Sequence, residues 1–146
     1  MKSIFDKKNY EELSGRLQKL SASSRALWGK MDNGQMLHHL NLAMEAPLGK
    51  SAEKGSPVFF MKLFRSVLYN DKPFGKGSPT ARQFKVTEKF DFDKEKEKCI
   101  ANLKEVFDKN IHGPYQPHVF FGKLTNEQWG KHFYKHLEHH LRQFGV

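Results

Sequence analysis

Apolar residues recur at intervals of three and four positions in several segments of this chain, and this spacing constrains the fold more than any other feature. Such a period places the apolar side chains on one stripe of an α-helix. The segments are residues 9–20, 33–46, 92–109 and a C-terminal stretch that follows Thr125. We therefore predict an all-α protein with four longer helices.

Polar residues at the ends of these segments support the predicted boundaries. Asp32 or Asn33 can cap the second helix, because their side-chain oxygens accept from free amides of the first turn. The last helix opens with Thr125-Asn126-Glu127-Gln128, which matches the S/T-x-x-E/Q capping box. Pro47 and Gly49 are expected to end the second helix.

Between the second and third predicted helices lies an apolar segment, residues 58–69, followed by irregular chain. Its apolar side chains cover a wide arc, which predicts one short extra helix packed on two sides or lying in a subunit interface. Residues 70–81 contain two glycines and two prolines and are predicted to be a long connection. Residues 83–90 alternate weakly but have no partner strand, so we expect a loop there.

The composition fits a single domain spanning residues 1–146. The chain has 38% hydrophobic residues and a formal net charge of +9. The charge is spread along the chain and mixed with acids, without the basic stripe and interleaved aromatics of a nucleic-acid platform. We expect no specific binding of nucleic acid.

The sequence also predicts a cytoplasmic protein that does not enter a membrane. The longest apolar stretch is interrupted by Lys62 and Arg65 and is shorter than the roughly 20 residues that a spanning helix needs. The N-terminal residues lack the apolar run of a secretory signal. The lone cysteine, Cys99, fits a reducing compartment and falls on the apolar stripe of its helix, so it is predicted to be a core residue.

The histidines of the last helix can be ranked by their angle to its apolar stripe. With Phe133 at zero and about 100° per residue, His140 falls at about −20° and His136 at about −60°, on or beside the stripe. His132 and His139 fall near −100° and −120°, at its margin. We predict that His136 and His140 are the inward pair, since their i, i+4 spacing lets both imidazoles reach one metal ion.

The same calculation on the second helix selects His39 as a third ligand. With Leu40 at zero, His39 lies at about −100° on the border of the stripe, whereas His38 at about 160° points to the surface. An alternative is that these are core histidines that hydrogen-bond to the backbone or to each other. An unsatisfied buried polar group costs about 1–3 kcal/mol, and a metal ion would satisfy all three at once.

Two segments of the chain resemble the DinB/YfiT-like family: Gln35-Met36-Leu37-His38-His39-Leu40 and Lys135-His136-Leu137-Glu138-His139-His140-Leu141-Arg142-Gln143. The stretch from His118 to Gly130 is similar to a branch of that family whose function is unknown. The resemblance implies a four-helix bundle that binds a divalent metal through His39, His136 and His140. It also implies a homodimer and, by analogy with several members, transfer of a low-molecular-weight thiol.

Three imidazoles around one ion leave a coordination position open for water or substrate, as in catalytic zinc sites. Zinc or nickel is the expected metal, and iron or manganese would also fit imidazole ligands. The leading hypothesis is a metal-dependent thiol S-transferase or hydrolase that acts on a small molecule. The alternative is a non-enzymatic metal-binding or protein-interaction module with a vestigial site.

Further side chains are expected to support or line this site. Gln35 and Gln143 each lie about one turn from a predicted ligand and are candidates to orient it through its second ring nitrogen. His118, Tyr115 and Tyr134 are candidates to line the mouth of the site, although exposed positions are an equally simple interpretation.

Overall fold

The computed structural model describes residues 2–51, 59–80 and 82–146, with the side chains of these ranges except residues 59 and 60. Its α-helices are α1 (Lys7–Lys19), α2 (Asn33–Glu45), α3 (Phe92–Lys109) and α4 (Asn126–Gln143). Short 3₁₀ helices cover Phe59–Leu68, Arg82–Phe84 and Asn110–His112. Within the described ranges there is no β-strand, and one isolated bridge pairs His118 with Gly122. The all-α prediction is confirmed.

Side-chain caps fix where the helices begin. Asp32 accepts a hydrogen bond from the Gln35 amide at 2.8 Å, and the Gln35 side chain accepts one from the Asp32 amide at 2.9 Å. Thr125 and Gln128 form the same reciprocal pair at the start of α4. Both predicted helix starts are confirmed, with Asp32 rather than Asn33 as the cap of α2.

The predicted apolar stripes meet in one core. Helix α2 packs along α3, and α4 contacts both α1 and α2. The buried side chains include Leu13 and Leu17 of α1, Met36, Leu37, Leu40 and Met44 of α2, Cys99, Leu103 and Val106 of α3, and Trp129, Phe133, Leu137 and Leu141 of α4. The prediction that Cys99 is a core residue is confirmed, and burial raises the pKa of its thiol to about 12.

The apolar segment after α2 forms a short extra helix, as predicted, and this is the 3₁₀ helix Phe59–Leu68. Of the two predicted environments, packing on two sides is not observed within the described part of the chain, and a subunit interface stays a prediction. Leu68 is buried, but Leu63 is 80% exposed, Phe64 61% and Val67 42%. The segment therefore covers the bundle with one edge and leaves an apolar edge outside. Val58, predicted as its first residue, lies outside the described residues.

The described residues of the connection that follows have no regular structure apart from the short 3₁₀ helix Arg82–Phe84, so the predicted loop at residues 83–90 is confirmed. Ala81 lies outside the described residues. None of the helices in the described ranges has the length and apolar character needed to cross a membrane.

Candidate metal centre

Three histidines from two helices meet at one point of the bundle. His39 comes from α2, and His136 and His140 come from successive turns of α4. Their ring centroids are 4.9–5.0 Å apart, and the nearest ligand atoms of all three lie within 4.8 Å of one another. The structure therefore brings together the three residues predicted as metal ligands. We call this cluster the triad.

The tautomer of His39 is fixed by a backbone carbonyl. Its Nδ1 lies 2.9 Å from the carbonyl oxygen of Phe84, in the short 3₁₀ turn before α3. A carbonyl oxygen can only accept, so Nδ1 carries the proton and donates it. The Nε2 atom of His39 is left with its lone pair, directed into the triad.

The tautomer of His140 is fixed in the same sense through Gln143. The side-chain amide of Gln143 donates from Nε2 to the Trp28 carbonyl oxygen at 2.8 Å, which turns its Oε1 towards His140. This Oε1 lies 2.8 Å from Nδ1 of His140 and accepts from it. The prediction that Gln143 orients His140 matches this contact, and Nε2 of His140 keeps its lone pair.

A glycine makes the Gln143 contact possible. Gly29, directly after Trp28, has a φ of +86°, and a Cβ at this position would lie 2.5 Å from Nε2 of Gln143. Any other residue would push the amide away from the Trp28 carbonyl. The glycine is a signal that sequence reasoning did not use.

The triad has more acceptors than donors. Nε2 of His39 lies 3.0 Å from Nε2 of His136, and with the His39 lone pair fixed, His136 must supply a proton or both atoms must share a cation. In a tetrahedral zinc site with Zn–N bonds of about 2.0–2.1 Å, ligand nitrogens are about 3.3 Å apart. The His39–His136 spacing is close to this value, and the donor set fits a borderline metal ion.

Burial keeps the triad imidazoles neutral. Desolvation lowers the pKa of His39 and His136 below the ordinary value, and it lowers the pKa of His140 to about 3. The mutual proximity of the three rings lowers the pKa values of His136 and His140 further. At neutral pH no proton competes with a metal ion for the two lone pairs.

Two more histidines of α4, His132 and His139, are buried, although the arc calculation placed them at the stripe margin. They are 7% and 8% exposed. The His132 ring stacks on His136 with centroids 5.7 Å apart, and the backbone of Leu68 hydrogen-bonds to His132. His139 bonds in the same way to the backbone of Phe74. Residues 67–74, which run from the end of the first 3₁₀ helix into the following loop, cover both histidines, and the apolar period of α4 does not predict this contact.

His38 is not the surface residue that was predicted. Its side chain is only 20% exposed, and its ring stacks on Phe90 with a centroid distance of 3.6 Å. Its Nδ1 lies 3.2 Å from Oε2 of Glu95 on α3. His38 does point away from the triad, as the arc calculation required.

The remaining predicted residues have different positions. Gln35 does not contact His39: it completes the helix cap and donates to the carbonyl oxygens of Thr87 and Glu88 at 3.1 and 3.0 Å. Tyr115 and Tyr134 do not line the site. The Tyr115 hydroxyl donates to the Asn110 carbonyl oxygen at 2.9 Å, and Tyr134 lies in a separate surface cleft.

His118 does line the site, as predicted. Its Nδ1 accepts from the amides of Phe120 and Phe121 at 3.2 and 3.4 Å, inside the turn closed by the His118–Gly122 bridge. The proton is therefore on Nε2. Burial lowers the pKa of His118 to about 4, which keeps the ring neutral.

A cavity of about 630 Å³ opens over the triad, and all three triad histidines form part of its wall. Its aromatic wall consists of Trp28, Phe74, Phe84, Phe120, Phe121 and Trp129. Met61, Leu63, Phe64 and Val67 of the first 3₁₀ helix form a further side. The volume is within the range of about 300–1,000 Å³ typical of small-molecule sites.

Comparison with known proteins places the chain in a family without naming an activity. Neither the curated proteins nor the solved structures gave a match. A family model described as "Protein of unknown function (DUF1569)" matches residues 5–145, which include the four α-helices, the triad and the cavity wall. The chain therefore belongs to this family of proteins of unknown function, DUF1569.

Proposed function

We propose that this chain is a metal-binding protein that holds one divalent transition-metal ion between Nε2 of His39, His136 and His140. The observation that carries the proposal is the pair of fixed tautomers: the Phe84 carbonyl and the Gln143 side-chain amide each accept a hydrogen bond from Nδ1–H, which leaves the lone pair on Nε2. Two lone pairs are thus aimed into one buried space. Orienting a ligand imidazole through its other nitrogen is how proteins build metal sites.

Zinc or nickel is the preferred ion, and iron(II) or manganese would also suit imidazole. A divalent ion with three imidazole ligands would supply a Lewis acid that acidifies a water or ionises a thiol in its open position. The residues of the chain would control protonation of the ligands and access of water to the ion. The triad keeps its lone pairs unprotonated at neutral pH, and the apolar wall of the cavity limits access of bulk water.

The function that this arrangement supports best is a metal-dependent enzyme of the DinB/YfiT-like type acting on a small molecule. Thiol S-transfer and hydrolysis both use a nucleophile made at such an ion, and a low-molecular-weight thiol is one proposed substrate. The resemblance to that family rests on the H-x-x-x-H pair of α4 and on His39, and membership of that family is part of this proposal.

Metal content is the direct test. Protein purified without a nickel column would be incubated with zinc or nickel and desalted. Its metal content would then be measured by inductively coupled plasma mass spectrometry. We expect one equivalent in the wild type and a substoichiometric amount in His136→Ala and His140→Ala. His132→Ala removes a buried histidine from the same helix and serves as the matched control, which should still bind one equivalent. Equal metal content in the wild type and both triad variants would refute the proposal.

A second candidate, a protein-interaction module with a vestigial site, is favoured by one observation. Leu63, Phe64 and Val67 are exposed together on the first 3₁₀ helix, and grouped apolar side chains on a surface often mark an interface. The homodimer implied by the family resemblance would use this edge. Light scattering should then report a dimer for the wild type and a monomer for Leu63→Ser/Phe64→Ser.

A further inference from the structure

The cavity over the triad is walled mainly by aromatic and aliphatic side chains, and this wall restricts what can enter it. Aromatic rings from the segment before α2, the 74–84 connection, the 118–122 turn and α4 face the same space. The wall also includes Ala43, one turn after His39 on α2, and Ala46, the residue that caps the C-terminus of α2. Small residues there keep the cavity open next to the triad.

One side of the cavity mouth is apolar. Leu63 and Phe64 line the cavity and are at the same time largely exposed to solvent. The cavity is also lined by the exposed residues Lys30, Ser66, Ser78 and Thr80, so the mouth contains polar groups as well. An apolar ligand would bury the exposed surface of Leu63 and Phe64, and removing apolar surface from water is favourable.

Several polar groups in the wall are already bonded within the protein. Nδ1 of His39 and Nδ1 of His140 are bonded in this way, and Gln143 is used by His140 and Trp28. Nδ1 of His118 is bonded to two backbone amides, so this ring offers only its Nε2–H to a ligand. The wall also contains His132 and His139, whose Nδ1 atoms are buried without a hydrogen-bond partner among the described residues. The cavity therefore combines a large apolar surface with the triad and a few neutral imidazole nitrogens.

We propose that the ligand of this cavity is a small, mainly apolar molecule with an aromatic ring and one hydrogen-bond acceptor, rather than a sugar, a nucleotide or a free inorganic anion. The proposal deepens the proposed function, on which it rests for the metal ion at the triad. The ring would lie among the aromatic side chains, and the acceptor would meet the Nε2–H of His118 or the triad.

The protein carries a built-in reporter for this test. The chain has two tryptophans, Trp28 and Trp129, and both line the cavity. Quenching of tryptophan emission by N-phenyl-1-naphthylamine, a neutral aromatic amine, would therefore report occupancy. Because this probe is uncharged, the net charge of +9 cannot account for its binding.

Two variants and one matched control locate the binding. Ala43→Phe fills the cavity beside His39, and Phe64→Ser removes an exposed apolar ring at its mouth without touching the core. Ala101→Phe places the same bulk on an exposed position of α3. We expect saturable quenching in the wild type, about tenfold or greater loss of affinity in Ala43→Phe, a smaller loss in Phe64→Ser and no change in Ala101→Phe.

The titration is repeated on chelator-treated protein and on His136→Ala. These two samples separate a failure of the ligand proposal from a failure of the metal-binding proposal. Saturable, cavity-dependent quenching in metal-free protein would support the ligand proposal even if no metal binds. Absence of saturable quenching in both the metal-loaded and metal-free wild type would overturn it, whatever the metal analysis shows. Equal affinity in wild type and folded Ala43→Phe would overturn it too.

Discussion

Two consecutive residues of α2, His38 and His39, enter polar regions on different sides of the helix, about 100° apart, and the two regions differ in how their hydrogen bonds are completed. His38 faces α3, where its ring stacks on Phe90 and its Nδ1 lies 3.2 Å from Oε2 of Glu95, at an angle too poor for a hydrogen bond. His39 faces α4, where its Nε2 lies 3.0 Å from Nε2 of His136.

The region between α2 and α3 pairs donors with acceptors. Asn41 donates to Oε2 of Glu95 at 2.8 Å, and Asn102 donates to Oδ1 of Asn41 at 3.1 Å and to Oε1 of Glu45 at 3.2 Å. Lys98 forms an ion pair with Glu45 at 2.8 Å. Amides, carboxylates and an ammonium group meet here in complementary pairs, and Nδ1 of His38 is the one buried ring nitrogen of this network left without a hydrogen bond among the described residues.

The region between α2 and α4 is different because the triad contains no carboxylate or ammonium group. Its tautomers aim two lone pairs at the same space, and only the His136 ring can offer a proton. Burial of polar groups is common to both regions, so burial alone does not mark a site. The excess of acceptors at the triad is what distinguishes it.

The largest effect expected from this comparison is on metal binding. His39→Ala should abolish binding, whereas His38→Ala, one residue away, should bind with wild-type affinity. At a free metal concentration of 100 Kd, the wild type should gain about 2.7 kcal/mol of stability, which a thermal melt reports as a shift that His39→Ala lacks. An equal loss in both variants would show that the two faces of α2 are not independent.

The second effect is the pH dependence of metal-free protein. The pKa values of His39, His136 and His140 are lowered in the folded state, so between the folded and unfolded pKa values the unfolded chain binds more protons. The contribution of these histidines to the free energy of unfolding is therefore complete above about pH 6.5. As the pH falls below this value, the free energy of unfolding decreases by about 1.4 kcal/mol per pH unit for each histidine that stays neutral in the folded state.

Urea denaturation at pH 7 and pH 5 in the presence of a chelator measures this loss. We expect a marked drop in the free energy of unfolding at pH 5, and a smaller drop in His140→Phe. Equal stability at the two pH values would contradict the neutral, desolvated triad.

The third effect is confined to the other face of α2. Asn41→Ala should remove the amide donor to Glu95 and the amide acceptor for Asn102, and lower the free energy of unfolding by about 2–3 kcal/mol. Its metal affinity should match the wild type, measured by titration calorimetry. A large change in metal affinity without a loss of stability would reverse the roles assigned to the two regions.

The smallest effect is expected at Gln143. Gln143→Leu removes the acceptor that fixes Nδ1–H of His140 and should weaken metal binding by about 10–100-fold. Gln143→Glu keeps an acceptor at the same position and should stay closer to the wild type. Equal affinities for Gln143→Leu and the wild type would show that the His140 tautomer is not held by this contact.

The helices and the triad could be predicted because both depend on the same periodicity. One turn of α4 separates His136 from His140, and the apolar stripe tells which side of the helix is buried. Gln143 was accessible to the same reasoning, since it follows His140 by three residues on α4.

What could not be predicted depends on irregular backbone. The acceptors for His39 and Gln143 are the carbonyl oxygens of Phe84 and Trp28, and a backbone atom has no sequence signature. His132 and His139 are buried by residues 67–74, a segment whose path no helical period specifies. The apolar residues 61–67 were predicted to pack on two sides or to lie in a subunit interface, and within this chain they form an exposed edge and a cavity wall.

The most direct test of the central claim is anomalous diffraction from crystals grown with zinc or nickel and measured at the absorption edge of the metal. The account predicts one peak bonded to Nε2 of His39, His136 and His140, at about 2.0–2.1 Å from each nitrogen for zinc. Density for Gln143 should still show its contact with Nδ1 of His140. A metal-saturated crystal with no peak between these three atoms, or with its peak at another group of side chains, would contradict the account.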